Sequence, residues 1–574
     1  MKKKKIPIGI SDFRKMIEGD YYYVDKSLLI KEILDSGTEN SLITRPRRFG
    51  KTLNLSMLKC FFEAKFPGDA RSPTEECSPS ISKGLFQHLK IWQEGEEYTE
   101  HCGKYPVIFL TFKNLKEPSW DECYVKIKET IASEYKRHKY LLNSNYFSDF
   151  EKEQYNNIIK ERAASAKYSS SLQRLSEYLY KYYNQKAIVL IDEYDTPIHE
   201  AYEKGYYQNL IDFLRSFLGA GLKDNSNLEK GVLTGILRVA KENIFSDLNN
   251  LEVLTVLEYE CADKFGFTEP EVIQFLKDYE IEDHLEDVKT WYNGYVFGEV
   301  HDIYNPWSII NYVKKYRAGC QPFWVNTSSN SLINTLLIQG DRQVKDDLGH
   351  LLKGEPISKV IYSNTIFSDI GKDSSHLWSF LLFAGYLKII GKKRIGKVFF
   401  YNLSIPNMEV EIIYETFVRM WFSDNLPDNE VELLIKSLLN GDSKTLDKIL
   451  QKFVLNSMSY FDPTGSESEK VYHAFVLGLL IHIKGTHLVK SNRESGFGRY
   501  DIMLIPHKKS EIGIIIEFKK VDKEDNETLE MACDSALWQI KEKEYESELR
   551  DMGINNILKY AIAFEGKKVL VKSL

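Results

Sequence analysis

Little in this chain of 574 residues points to a membrane, an export signal or a covalent scaffold. No apolar run is long enough to span a bilayer. The opening "MKKKKIPIG" is charged, but no apolar core follows it, so it does not read as a secretory signal. Cysteine is scarce: seven residues (60, 77, 102, 123, 261, 320 and 533), with no paired short spacing. An odd, dispersed set argues against a disulfide framework and against a zinc site, and for a reducing compartment. Positive charge is not in excess either, since the net charge is -7 and the pI about 6.0. Any nucleic-acid contact must therefore come from local basic patches. These absences lead to the expectation of a cytoplasmic protein without a membrane partner.

What is present is ordinary globular material, 43% hydrophobic and 28% charged, in a chain too long for one core. Short apolar runs alternate with helical patterns in the first half: "SLIT" (41–44), "PVIFLTF" (106–112), "AIVLID" (187–192), "GVLTGIL" (231–237) and "EVLTVL" (252–257). Such runs between helices predict a parallel sheet buried on both faces. The boundaries expected are an α/β domain over 1–265, a lid or winged-helix-like module over 266–330, a mostly helical middle region over 331–460, and a separate domain over 466–574. One hairpin is expected within "YLKIIGKKRIGKVFFYNL".

The stretch "RPRRFGKT" ends as a phosphate-binding loop does, in Gly50, Lys51 and Thr52, but Arg45 stands where the pattern G-x-x-x-x-G-K-[ST] wants glycine. The triplet sits between a strand and a helix, where free N–H groups and the helix dipole favour phosphate. Gly50 lets the backbone approach, Lys51 reaches the terminal phosphates, and Thr52 can hold Mg²⁺. Taken alone, it is equally well an ordinary helix start. The second signal is "AIVLIDEYD", an apolar run ending in two acids. Asp192 at a strand tip suits a metal's water shell, and Glu193 can orient or deprotonate an attacking water. Thr234 inside "GVLTGIL" and Arg238 beyond it face either the terminal phosphate or, as a buried threonine and a surface arginine, nothing in particular. Arg47 or Arg48 can supply charge that Pro46, lacking an N–H, withholds from the cradle.

The last hundred residues change character: a helix in "ESEKVYHAFVLGLLIHI", strands in "THLVKS", "RYDIMLIP" and "EIGIIIEFKK", an amphipathic helix over "ETLEMACDSALWQIKEKEYESEL", and a strand in "KYAIAFEG". If the hairpin turns about residue 509, facing positions sum to 1018, which sets Asp501 opposite Glu517, with Lys519 on the same face. Two carboxylates that close favour a divalent cation between them. A cross-strand salt bridge on a solvated face is the alternative, against which the apolar "IGIIIEF" speaks. Glu469 is a further candidate ligand, and Gln539 and Tyr545 are either substrate contacts or ordinary polar residues of the second helix.

The ordered motifs "IPIGISDFRKMIEGDYYYVDKS", "RPRRFGKTLNLSML", "VLIDEYDTPI", "LTGILRVAKENIFSDLNNL" and "WYNGYVFG…IYNPWSI" resemble AAA-ATPase-like bacterial proteins that carry a C-terminal nuclease domain. Asp501 with Glu517-Phe518-Lys519 resembles the PD-(D/E)XK nuclease superfamily, with Tyr500 where a proline often stands. The resemblance implies an α/β fold class: a P-loop NTPase parallel sheet of the additional-strand type, flanked by helices, the helical middle region, and a C-terminal αβββαβ restriction-endonuclease-like domain. It also implies the usual roles for Lys51, Thr52, Asp192 and Glu193, and places Tyr23 either near the nucleotide or in the core. The cofactors expected are ATP with Mg²⁺, and Mg²⁺ or Mn²⁺ in the nuclease domain. Glu193, Asp501, Glu517 and Lys519 are the expected catalytic groups. The partner expected is nucleic acid, DNA first. An ATP-gated nuclease is the leading reading, and a nucleotide switch that binds nucleic acid without cutting it is the alternative. Arg238 acting within its own chain, or on a neighbouring copy of a homo-oligomer, are both open.

Overall fold

The computed structural model describes residues 3–64, 79–238, 249–324, 331–352, 354–363, 374–423, 428–457, 483, 486–495, 498–521, 527–566 and 568–574. Two compact units emerge, one from Met1–Ser328 with Ser358–Glu409, the other from Ser329–Ile357 with Val410–Leu574.

The first unit is built on five strands: β1 (Asn40–Thr44), β2 (Val107–Thr111), β3 (Ala187–Asp192), β4 (Leu228–Gly235) and β5 (Leu251–Leu254). They pair in parallel in the order β2-β3-β4-β1-β5. Every residue of β1 and β3 is buried, as expected of apolar strands covered on both faces. β4 lies between the loop-bearing β1 and the acid-bearing β3, which is the additional-strand arrangement. The helix Lys51–Phe62 is buried nearly all round rather than on one stripe, because Leu55, Met57, Leu58, Phe61 and Phe62 all enter the core. Tyr23 belongs to this core: its ring meets Phe13 edge-on at 5.4 Å and its hydroxyl lies 3.3 Å from the Met57 sulfur.

Arg45 holds the end of β1 in place. Its side chain is fully buried, and its guanidinium donates to five backbone carbonyls: Thr44 (2.8 Å), Leu254 (2.9 Å), Thr255 (2.8 Å), Glu260 (3.4 Å) and Cys261 (3.1 Å). The rings of Phe265 and Phe297 lie 5.4 and 5.3 Å from it. Burial pulls its pKa down to about 10, still cationic at neutral pH. The planar fork suits this task, since one group can serve several carbonyls. Arg45 therefore rivets β1 to β5 and to the turn that follows, and does not face the phosphate site.

The rest of the loop is clamped by the segment after β5. A small sheet of β6 (Phe267–Thr268), β7 (Tyr295–Phe297) and β8 (Val300–Tyr304) in the order β6-β8-β7, with the helices Glu269–Asp278, Leu285–Tyr292 and Pro306–Lys315, forms a module of helix, helix, hairpin and helix. Phe49 packs on Tyr295 and Phe297 at 5.0 and 5.3 Å. The Arg47 carbonyl accepts from Asn305 Nδ2 (3.4 Å) and Trp324 Nε1 (3.2 Å). The Arg48 guanidinium lies 4.5 Å from the Trp307 ring centre. Gly385 abuts Pro46, where a Cβ would come within 2.8 Å. Behind the clamp, the buried Glu409 accepts from Trp324 N (2.6 Å) and Ser308 Oγ (2.7 Å). A further sheet of β9 (Ile357–Val360), β10 (Lys388–Ile395) and β11 (Val398–Ser404) in the order β10-β11-β9 contains the expected hairpin.

The second unit centres on β12 (His487–Ser495), β13 (Gly498–Pro506), β14 (Gly513–Lys520), β15 (Ile557–Glu565) and β16 (Lys568–Ser573), in that order. β14 and β15 are parallel and the other pairs antiparallel. The helices Asp428–Asn440 and Ser443–Ser457 pack Leu434, Leu438, Leu450 and Phe453 against Ile502, Ile514, Ile516 and Phe518. On the other face the helix Leu529–Glu542 covers Met503, Ile515, Ala561 and Ala563. Two details differ from expectation. β16 is a fifth strand, antiparallel to β15. The single long helix expected over 527–549 is broken, because Glu544 adopts a left-handed φ of 49° between Leu529–Glu542 and Ser547–Asp551. The expected first helix, within 467–483, falls on residues outside those described except Ile483.

Two outcomes are expected. Restoring the glycine of the loop pattern, Arg45→Gly, should destabilise the protein by about 3–5 kcal/mol, because buried carbonyls lose their donor. Arg45→Lys should not rescue it, and an Arg45→Gly protein that melts with the wild type would refute the rivet. Burial pushes the Glu409 carboxyl up to about 7 from the usual 4.5. A raised carboxyl contributes stability that is complete below the unfolded pKa and is lost as pH rises through about 7. The melting temperature of Glu409→Gln should therefore gain on the wild type between pH 4.5 and pH 7; a gap constant with pH would contradict this.

Candidate active sites

The nucleotide site is assembled by strand register. Ile43 pairs with Thr234 and Ile191 with Leu233, so Asp192 falls beside Thr234 at the carboxyl ends of β3 and β4. Thr234 Oγ1 donates to Asp192 Oδ1 (2.9 Å), and Thr52 Oγ1, one residue inside its helix, donates to Asp192 Oδ2 (2.8 Å). Burial, with Glu193 next to it, raises the Asp192 carboxyl, and the two hydroxyls oppose that rise. Gly50 takes φ 88°, a left-handed conformation that suits glycine, and opens the helix at Lys51. Lys51 Nζ tucks under its own loop and donates to the carbonyls of Arg45 and Pro46, both at 2.9 Å. Burial lowers its pKa, and Glu193, Asp195 and Asp192 draw it back up. Glu193 itself sits at φ 50° and accepts from Thr196 Oγ1 at 3.3 Å.

Five of the expected residues are thus together: Lys51, Thr52, Asp192, Glu193 and Thr234. Arg48 lies on the loop with its guanidinium face on Trp307. Arg238 follows β4 half-buried, with Tyr194 and Glu258 as its electrostatic neighbours rather than the acid pair. Asp195 went unread in the sequence. It stands at the cap position of the helix Thr196–Lys204 yet makes no cap; its Oδ2 instead accepts from Ile236 N (2.7 Å) and Leu237 N (2.9 Å). That fixes the backbone just after Thr234 from the loop that carries Glu193. Three acids within "DEYD" were the available signal.

In the second unit, Ile502 pairs with Ile516, Met503 with Ile515 and Leu504 with Ile514. Each pair sums to 1018, the register expected from the turn. The ladder stops one step before Asp501 and Glu517, and side chains take over its hydrogen bonds. Asp501 Oδ2 accepts from Phe518 N (2.8 Å), and Glu517 Oε2 lies 3.4 Å from Asp501 N. The two carboxylates therefore converge where the strands part, with Glu517 buried and Lys519 half-buried two residues on. Gln539 Nε2 donates to Glu517 Oε1 (2.5 Å) and lies 3.0 Å from the Tyr545 hydroxyl. Tyr545 sits in the helix break and is buried, so it is no helix-surface residue; it backs Gln539, which holds Glu517. Glu469 lies outside the described residues.

Among the described residues, no helix is long and apolar enough to cross a membrane. An uncharacterized protein in the vnfD 5' region of Azotobacter chroococcum mcd 1 is 26% identical over 414 residues, covering 72% of this chain and 69% of the relative. The structure of the Aeropyrum pernix ORC2 protein in ADPNP-ADP complexes aligns with 72% of this chain and 96% of its own, at 12% identity and a TM-score of 0.25. Residues 7–245 match the family model described as predicted AAA-ATPase, and residues 467–574 match that of the PD-(D/E)XK nuclease superfamily. The chain thus joins an AAA-ATPase-like domain to a C-terminal PD-(D/E)XK nuclease superfamily domain.

Proposed function

We propose that the first unit binds and hydrolyses ATP and that this gates metal-dependent cleavage of DNA phosphodiesters by the second. The observation that supports the reading is that one chain carries both carboxylate groupings: Asp192 accepting from two hydroxyls, with the buried Lys51 beneath its own loop, and Asp501 converging with Glu517. Both donor sets fit a hard divalent cation, since every ligand they offer is oxygen. Thr52 and Asp192 would hold one ion, and Asp501 and Glu517, with Glu469 as a further candidate, another. A bound Mg²⁺ or Mn²⁺ supplies charge neutralisation on phosphate and a more acidic water.

The chain's own groups do the rest. Lys51 exchanges the Arg45 and Pro46 carbonyls for phosphate oxygens, a better match for an ammonium in a low-dielectric site. Thr234 keeps the Asp192 carboxylate oriented. Glu193 orients the attacking water or takes its proton. Stacking engages only the face of Arg48, so its N–H edge serves as a donor for phosphate beside a loop in which Pro46 supplies none. In the second unit Gln539 fixes the Glu517 oxygen that would otherwise turn away, and Lys519 stabilises the attacking water or the developing charge on the phosphodiester.

Lys51→Ala should lower Mg²⁺-dependent ATP hydrolysis at least about 100-fold in a steady-state assay; unchanged turnover would remove the nucleotide assignment. Asp501→Ala should reduce Mg²⁺- or Mn²⁺-dependent DNA cleavage to background while ATP hydrolysis persists. Absence of cleavage by the wild type on duplex, single-stranded and branched DNA, with and without ATP, would leave the non-cutting switch as the reading.

A further inference from the structure

The hairpin β10–β11 has no part in either site and is strongly basic. From Lys388 to Ser404 it carries Lys388, Lys392, Lys393, Arg394 and Lys397 and not one acid, in a protein of net charge -7. Lys388 turns inward to the Pro406 carbonyl at 3.2 Å. The other four are exposed, and among the described residues none is paired with a carboxylate. Two of them are pre-positioned on rings. Lys392 lies 4.3 Å from the Phe399 ring centre and 5.3 Å from that of Tyr401, and Arg394 lies 5.7 Å from Phe399. The register explains this, since Lys392 faces Tyr401 and Arg394 faces Phe399 across the ribbon. Apolar side chains are exposed on the same hairpin: Ile390 (52%), Ile395 (55%), Val398 (43%) and Phe399 (42%).

Self-interest of the fold does not account for this. Lysine on an edge strand guards against strand pairing, but guarding does not call for exposed isoleucine, valine and phenylalanine beside it. Unpaired like charges on one hairpin also repel one another. A polyanion presenting both phosphate and apolar sugar and base edges relieves the repulsion and covers the apolar surface. β10 is the outer strand of its three-stranded sheet, so the basic side chains of this strand lie along a sheet edge.

We infer that the β10–β11 hairpin is a duplex-DNA-binding arm: Lys392, Lys393, Arg394 and Lys397 contact backbone phosphates, and the exposed apolar residues lie against the groove. The contacts are to phosphate, so the arm binds without sequence preference. The inference rests on the nuclease reading for its choice of polyanion. It gives an acidic chain the local cationic grip that its overall charge denies it.

The test uses full-length protein carrying Asp501→Ala, so that the duplex stays intact, and a fluorescent duplex of about 30 base pairs and arbitrary sequence, read by anisotropy across a salt series. Replacing Lys392, Lys393, Arg394 and Lys397 with alanine should weaken binding at least about 10-fold near 0.1 M salt. It should also flatten the slope of log K against log salt by about 3–4, at roughly 0.9 for each phosphate no longer neutralised. Unaltered ATP hydrolysis and melting temperature would show that the unit remains folded. Should the fourfold variant fail to fold, Lys393→Gln with Lys397→Gln keeps the stacked pairs and should flatten the slope by about 2. Unchanged affinity and slope would overturn the inference. So would tighter binding of the wild type to single-stranded RNA, or retention by phosphatidylserine vesicles instead of DNA. If Asp501→Ala still cuts, the nuclease assignment fails while the binding result stands; if cutting depends on Asp501 but binding ignores the hairpin, only the arm fails.

Discussion

A guanidinium buried without a carboxylate partner is the constraint around which the first unit is organised. Removing a cation from water is costly, and Arg45 offsets that cost only by serving five carbonyls at once. Those carbonyls belong to the end of β1, the end of β5 and the turn at 260–261, so the charge fixes where three pieces of backbone meet. Lys51 then finds its own acceptors in the carbonyls of Arg45 and Pro46, immediately above. In the usual pattern a glycine at this point gives a flexible cradle. Here the position serves rigidity, and the cradle is assembled from what remains.

Much of this was legible where side chains meet at short range or by register. The turn at residue 509 fixed the facing of Asp501 and Glu517, and the structure's pairs sum to the same 1018. The apolar runs 41–44 and 187–192 end where β1 and β3 end, and 231–237 overlaps β4, which put Thr52, Asp192 and Thr234 within reach of one another. What stayed hidden shares a physical reason: its partners are backbone groups far off in sequence. Arg45 bonds carbonyls more than 200 positions away, and Asp195 bonds amides 41 and 42 positions on. No periodicity records such bonds. Tyr545 was misplaced because a left-handed Glu544 interrupts what composition alone presents as a continuous helix. Tyr23 carried no sign of whether its neighbours were nucleotide or Met57.

The two units use one device for their acids. In each, a carboxylate accepts from main-chain amides or a neutral side chain: Asp195 from Ile236 and Leu237, Asp501 from Phe518, Glu517 from Gln539. An acid restrained in that way is held in one orientation before any ligand arrives. The rotamers are fixed by these bonds, which is what preorganisation requires.

The grip of Asn305, Trp307 and Trp324 on the phosphate loop has a consequence for inheritance. Arg47 and Arg48 are read by a turn some 260 residues downstream, through a carbonyl and a stacked guanidinium. Neither half has a use for its residues without the other. A graft of "RPRRFGKT" into another nucleotide-binding sheet would bring a proline and arginines with nothing to rest on, and a graft of "YNPWS" would bring an indole with nothing to hold. Loop and turn are therefore one heritable part written in two places, and drift in either is legible only beside the other.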